Sequence, residues 1–119
     1  MNVITPLIQF QQQLRIYHWQ TDSYAAHKAF GKAYEGLDDL IDSFLEVYMG
    51  YFGRSKPTTT FVIELKPLIS MESVFTILDS FQNYLRDMDE ELEKYSDLLN
   101  IRDSLLQEVS HLRYRLSLN

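Results

Sequence analysis

The chain contains no cysteine, so neither a disulfide framework nor a thiolate metal site can form. No apolar run approaches the roughly 20 residues that span a bilayer. The opening stretch MNVITPLIQF also lacks the basic and apolar segments of a signal peptide. Positive charge is in deficit, with 11 Lys and Arg against 17 Asp and Glu and a net charge of −6. A nucleic-acid surface usually advertises itself as a basic patch or tail, so DNA binding is not expected. Internal repeats and low-complexity tracts are absent too. The expectation from these absences is a cytoplasmic protein with no membrane segment.

What remains is ordinary globular material. Hydrophobic residues make up 45% and charged residues 24% of 119 positions, enough for one domain (1–119) with one modest core. Periodicity predicts four helices. Leu7, Ile8, Leu14, Ile16 and Tyr17 punctuate a glutamine-rich segment from Thr5 to Trp19, with Pro6 suited to a first turn. Gln11 to Gln13 read as a polar helix face. Thr21-Asp22-Ser23 interrupts, and Asp22 or Ser23 caps a long helix from Tyr24 to about Phe52. Its apolar stripe is Phe30, Ala33, Leu37, Leu40, Phe44 and Val47.

Gly53 to Pro57 ends that helix, and Thr58 to Ile63 reads as extended or irregular. The connection, about 17 residues, suits a crossover between helices that run in the same direction. A third helix starts near Ser70, carries Val74, Phe75, Leu78, Phe81, Leu85 and Met88, and is expected to continue to about Lys94. Ser96-Asp97 looks like a fresh cap. Leu98, Ile101, Leu105, Val109, Leu112 and Leu116 form the last stripe. The fold class is all-α, a four-helix bundle with a long crossover between helices two and three.

The polar residues on this scaffold suggest a metal site. His18 ends helix one and His27 begins helix two, nine residues on. A hairpin at Thr21 to Ser23 brings both imidazoles to one level, and zinc, iron and copper all accept imidazole. Asp42 and Glu46 lie four apart on one face of helix two. His27 and Asp42, however, are 15 positions apart, about 22 Å along a helix. One chain cannot bring them together. Two copies of helix two packed antiparallel about a two-fold axis could set Asp42 and Glu46 of one beside His18 and His27 of the other.

This run, with His18-Trp19 at the end of one helix, His27 in the next and Asp42-x-x-x-Glu46 further on, resembles the Dps-like mini-ferritins. The specific match covers about a quarter of the chain. The resemblance implies a ferritin-like bundle whose two-fold interface holds a shared ferroxidase centre. His18, His27, Asp42 and Glu46 would be both its metal ligands and its catalytic residues. It further implies iron (Fe2+/Fe3+) as the metal, with zinc or another divalent ion able to take the same site. The partner is a second copy of the chain, in a dimer or a hollow dodecamer that stores iron. Two departures stand out. The gap between the histidines is shorter than the family's, and Gly31 stands where the family commonly has aspartate, so either the site has lost one ligand and binds metal more weakly or Asp38 or Glu35 stands in.

Two other readings belong beside this one. A metal-free helical oligomer could keep the bundle as a structural or interaction module. Glu108-x-x-His111 matches half of an intrachain di-metal motif, but the set is incomplete, and a solvated or interface pair is the expectation. Tyr17, Tyr24, Tyr34 and Tyr48 are expected to be packing residues.

Overall fold

The computed structural model describes residues 2–118; positions 1 and 119 of the expected domain lie outside the described residues. Four helices account for the ordered elements: α1 (Ile4–Gln20), α2 (Tyr24–Phe52), α3 (Met71–Arg86) and α4 (Ser96–Leu116). Among the described residues there is no strand. Among the same residues no helix is long and apolar enough to cross a membrane.

The long helix α2 has 29 residues, about 43 Å at the usual rise, and this matches the 42 Å long axis of the molecule. Its start is fixed by Ser23, whose side chain accepts the Ala26 N–H at 3.2 Å, satisfying one of the first-turn donors. Its end is fixed by Gly53, whose φ of 90° is comfortable only without a Cβ. Phe30, Ala33, Leu37 and Phe44 are buried, as the stripe predicts. Leu40 and Val47 sit at its half-buried margin.

Pairwise contacts give the topology. α1 and α2 form a short-turned hairpin. α4 runs against α2, since Tyr51 donates to Asp97 at one end and Glu108 packs on Gly36 near the middle. It also runs against α3, since Arg102 reaches the Leu85 carbonyl while Arg113 reaches Gln82 and Asp79. α3 opposes α1 through Phe10 and Phe81, whose rings stack at 3.8 Å and 4°. α2 and α3 therefore run in the same direction, as the long connection predicts.

The connection sharpens one expectation. Gln11 and Gln13 of the polar face are buried, 6% and 3% exposed. Gln13 accepts the Lys66 N–H and donates to the Lys66 carbonyl, both at 2.7 Å. Gln9 accepts the Glu64 N–H at 3.0 Å and Gln20 the Leu68 N–H at 2.6 Å. Alternate residues of the connection thus present their amides to α1, the spacing of an extended chain. Glutamine amides, with one acceptor and two donors, stand in for a neighbouring strand. Gln11 faces the other way and binds α2, at the Tyr34 carbonyl and Asp38.

The end of helix three also departs from expectation. α3 stops at Arg86, and residues 87–94 continue as turns rather than helix. Met88 and Leu92 still reach the core, which is why their spacing reads as helical. Arg102, 6% exposed, closes this corner. It donates to the Leu85 carbonyl at 2.7 Å and pairs with Asp89 at 2.6 Å and Asp103 at 2.9 Å. A buried guanidinium tolerates burial only when satisfied in this way. Ser96 is the first residue of α4 rather than its cap; Tyr95 holds the cap position without a side-chain bond.

Candidate functional site

The two histidines meet at the α1–α2 hairpin. The last carbonyls of a helix lack intrahelical partners. Thr21 N–H takes that of Tyr17 at 3.0 Å, and His27 Nδ1 takes that of His18 at 2.8 Å. His18 returns the contact, its Nδ1 lying 2.6 Å from the His27 carbonyl. A carbonyl only accepts, so both Nδ1 atoms carry hydrogen, and in a neutral imidazole bonded this way the lone pair is on Nε2. Backbone carbonyls acting on the far nitrogen are the usual means of fixing a metal-binding imidazole's tautomer and orientation. The rings stack with centroids 3.8 Å apart and 18° between planes, and both residues are half-buried.

Gly31 sets the space for this stack. A Cβ at Gly31 would lie 2.9 Å from His18 Cε1 and 3.1 Å from Nδ1, inside ordinary contact distance. The aspartate expected of the resembled family would occupy the volume of the His18 ring. Neither candidate replacement enters the site: Asp38 accepts from Gln11 at 2.8 Å, and Glu35 is exposed.

Around the stack, Tyr34 meets His18 edge-on at 5.3 Å, and the Arg15 guanidinium lies 4.5 Å over the Tyr34 ring. Arg15 Nε is buried without a hydrogen-bond partner. Tyr24 stacks beside His27 at 6.3 Å. Tyr24 and Trp19 are 74% and 65% exposed, so two large aromatic side chains rim the hairpin in solvent. Tyr34 and Tyr24 are the packing residues expected from the sequence, and Arg15 is a site neighbour that carried no expectation. The signal available was their spacing, since Tyr34 follows His27 by seven residues and Arg15 precedes His18 by three, each on the histidine's own helix face.

Asp42 and Glu46 are exposed on α2, well down the helix from the hairpin. The structure brings together His18 and His27 of the predicted four and leaves the carboxylates apart from them. Among the described residues no group of three or more His, Asp or Glu side chains gathers as a metal-holding cluster within one chain. The Glu108–His111 pair does not converge either. Glu108 lies against Gly36 and 3.7 Å from Arg115, whereas His111 is exposed.

The fold and this seam define a four-helix bundle with a backbone-locked imidazole pair at one end. The chain belongs to DUF5856, a family of unknown function whose profile matches residues 18–116, a span that opens on His18 and includes His27, Asp42 and Glu46. It is also similar to an uncharacterized 14.6 kDa protein from the mobD-ri intergenic region of Enterobacteria phage T4, at 35% identity over 71 residues. That alignment covers 60% of this chain and 56% of the phage protein, so the chain spans little more than half of this curated relative. No solved structure matches the chain.

Proposed function

We propose that the chain is a Dps-like, ferritin-like protein whose imidazole pair forms half of an inter-subunit site that binds and oxidises ferrous iron. The observation that carries this reading is the reciprocal Nδ1–carbonyl bonding of His18 and His27, which fixes two imidazole rings in a stack 3.8 Å apart at a half-buried position and leaves their Nε2 atoms out of those bonds. Two nitrogens do not complete a coordination sphere, and the chain's own Asp42 and Glu46 are too far along α2 to add to it.

A second copy could supply them. The exposed face of α2 is divided by charge. Lys28 and Lys32 lie in its first part, and Glu35, Asp39, Asp42 and Glu46 follow. Antiparallel pairing of two such faces sets each basic part against the other's acidic part. The same pairing aligns His27 with Asp42. The connectivity supports the ferritin-like reading as well, because a hairpin, a long crossover and α2 parallel to α3 are what that architecture requires.

In this reading iron is the substrate. Each Fe2+ gives up one electron, and hydrogen peroxide takes two electrons and two protons to leave as two waters. His18 and His27 bind and orient the ion through Nε2. Asp42 and Glu46 of the second copy supply negative charge that favours the ferric product. The test is anaerobic Fe2+ titration followed by peroxide, read by absorbance. His27→Ala and Asp42→Ala should each lower the oxidation rate at least ~10-fold, as loss of a ligand does. Mixing a His18→Ala/His27→Ala chain with an Asp42→Ala/Glu46→Ala chain should restore intact sites. Unchanged rates in both single variants would overturn the reading.

One observation favours a second reading, the metal-free oligomer. The stack, the two carbonyl bonds and the fit of His18 onto Gly31 account for both histidines as a clip that closes the α1–α2 turn. In that case His27→Ala lowers stability while Fe2+ titration of the wild-type chain shows no saturable binding.

A further inference from the structure

A second feature lies away from the histidines, between α1, α3 and the connection. α1 and α3 touch mainly through the Phe10–Phe81 stack, and beside it opens a mostly apolar cleft of about 240 Å³. Pro6, Phe10, Ile77 and Phe81 make its apolar lining, and Tyr84 stands on its wall. The Tyr84 hydroxyl is buried with no hydrogen-bond partner. This volume is just below the roughly 300–1,000 Å³ of drug-sized sites and suits a smaller molecule; such sites pair an apolar lining with a few placed polar groups.

Those polar groups come from the connection. Glu64 and Lys66 both line the cleft. Two residues apart on an extended chain, their side chains leave on the same side, roughly 6.6 Å apart at the usual rise. Neither belongs to a salt bridge among the described residues. Their backbone is nevertheless pinned, Glu64 by Gln9 and Lys66 at both N–H and carbonyl by the buried Gln13. The result is an anchored pair of opposite charges, unspent on each other, above an apolar floor.

We propose that this cleft binds a small zwitterion with an apolar side chain, that is, a free apolar or aromatic amino acid. Its ammonium faces Glu64, its carboxylate faces Lys66, and its side chain lies against Ile77 beside the Phe10–Phe81 stack. A neutral apolar molecule would leave both charges unused. A molecule with one charge would satisfy only half of the pair. The proposal is independent of the iron reading, since it shares no residue with His18, His27, Asp42 or Glu46.

The test is a titration of the full chain with L-phenylalanine, followed by amide chemical shifts. A ligand of this size should bind with a Kd of about 1 mM, shifting the amides of Gln13, Lys66 and Ser80 together. Lys66→Met and Glu64→Gln should each weaken binding about 5-fold or more, the effect of losing one charged contact. Phenylacetate and phenethylamine, each lacking one charge, should be weakened to the same degree, and glycine should give no saturation. Ile77→Trp should fill the cleft and abolish the response, and the surface variants keep the test valid should that chain fail to fold. Absence of saturation with L-phenylalanine up to about 50 mM, far above that Kd, would overturn the proposal. Binding of phenylacetate or phenethylamine as tight as that of L-phenylalanine, or undiminished binding in Lys66→Met, would also overturn it.

Discussion

α1 makes two seams, and they are closed in opposite ways. Against α2 it packs along its whole length, with Leu7, Leu14 and Tyr17 buried and the end sealed by two histidines that exchange hydrogen bonds. Against α3 it meets one stacked aromatic pair, and glutamines tie the rest of the gap to a strap of extended chain. The difference follows from connectivity. A three-residue turn forces α1 and α2 together, so the seam can be filled by apolar side chains. The α3 seam must leave room for a crossover running beside it, and the backbone amides of that crossover need partners that apolar side chains cannot give.

The comparison breaks most visibly if the single aromatic pair does not hold the looser seam. Phe81→Ala should cost about 3–5 kcal/mol, the usual loss for a buried aromatic, because no second layer of α1–α3 packing takes up the load. Chemical denaturation measures it. A loss of about 1 kcal/mol or less would mean that the strap, rather than the stack, holds α3 in place.

The tight seam offers the next test. Gly31→Ala, and more so Gly31→Asp, forces the His18 ring to move, and overpacking of this kind costs about 1–3 kcal/mol. Gly31→Asp also restores the residue type of the resembled family. If the stack excludes a side chain there, the variant should lose stability and gain no Fe2+ affinity. Tighter iron binding by Gly31→Asp would show instead that His18 swings aside at little cost.

These residues also show what a sequence discloses. The helix boundaries around Ser23, Gly53 and Ser70 were legible, because caps and a glycine terminus are local chemistry. So was the meeting of His18 with His27, since a short hairpin leaves them nowhere else to go. The reciprocal carbonyl bonds were not legible: they depend on ring rotation and helix register, which spacing does not specify. Gln11 to Gln13 read as a polar face, and nothing in their spacing says that Gln11 and Gln13 are interior, since glutamine is usually exposed and only the path of the connection buries Gln13. The end of α3 at Arg86 was hidden because Met88 and Leu92 keep helical spacing while the backbone turns. Asp42 and Glu46 are legible as a pair, and their relation to the histidines belongs to assembly rather than to one chain.

The strap provides a smaller but sharper probe. Gln13→Ala leaves the Lys66 N–H and carbonyl without their partner, and the loss of two part-buried bonds costs about 1–3 kcal/mol at roughly 0.5–1.5 each. Hydrogen exchange distinguishes this from a general loss of stability. The amides of Glu64, Lys66 and Leu68 should lose protection together if the glutamines act as a strand, while the α1–α2 core keeps its own. Loss confined to Lys66 would mean that each glutamine holds its residue independently.

The smallest effect expected at neutral pH, none at all, belongs to Tyr84, on the wall of the open seam. Burial, with lesser contributions from Tyr48 and Glu91, pushes its phenol up to about 12 from the ordinary 10.0. The neutral phenol is therefore favoured in the folded chain. Its contribution to stability is complete below pH 10, where the unfolded phenol is also neutral, and is lost as pH rises from 10 toward 12, because the unfolded chain ionises first. The free energy of unfolding measured across that range should fall more steeply for the wild-type chain than for Tyr84→Phe, which has no proton to release. Tyrosine absorbance should show one phenol ionising last. Tyr84→Phe should be close to neutral at pH 7, since the lost hydroxyl has no hydrogen-bond partner and removing an unpartnered polar group sacrifices no bond. A loss of more than about 1 kcal/mol at pH 7 would show that the hydroxyl has a partner, bound water in the cleft being the nearest source. The open seam would then be a hydrated one, unlike the closed seam on the other side of α1.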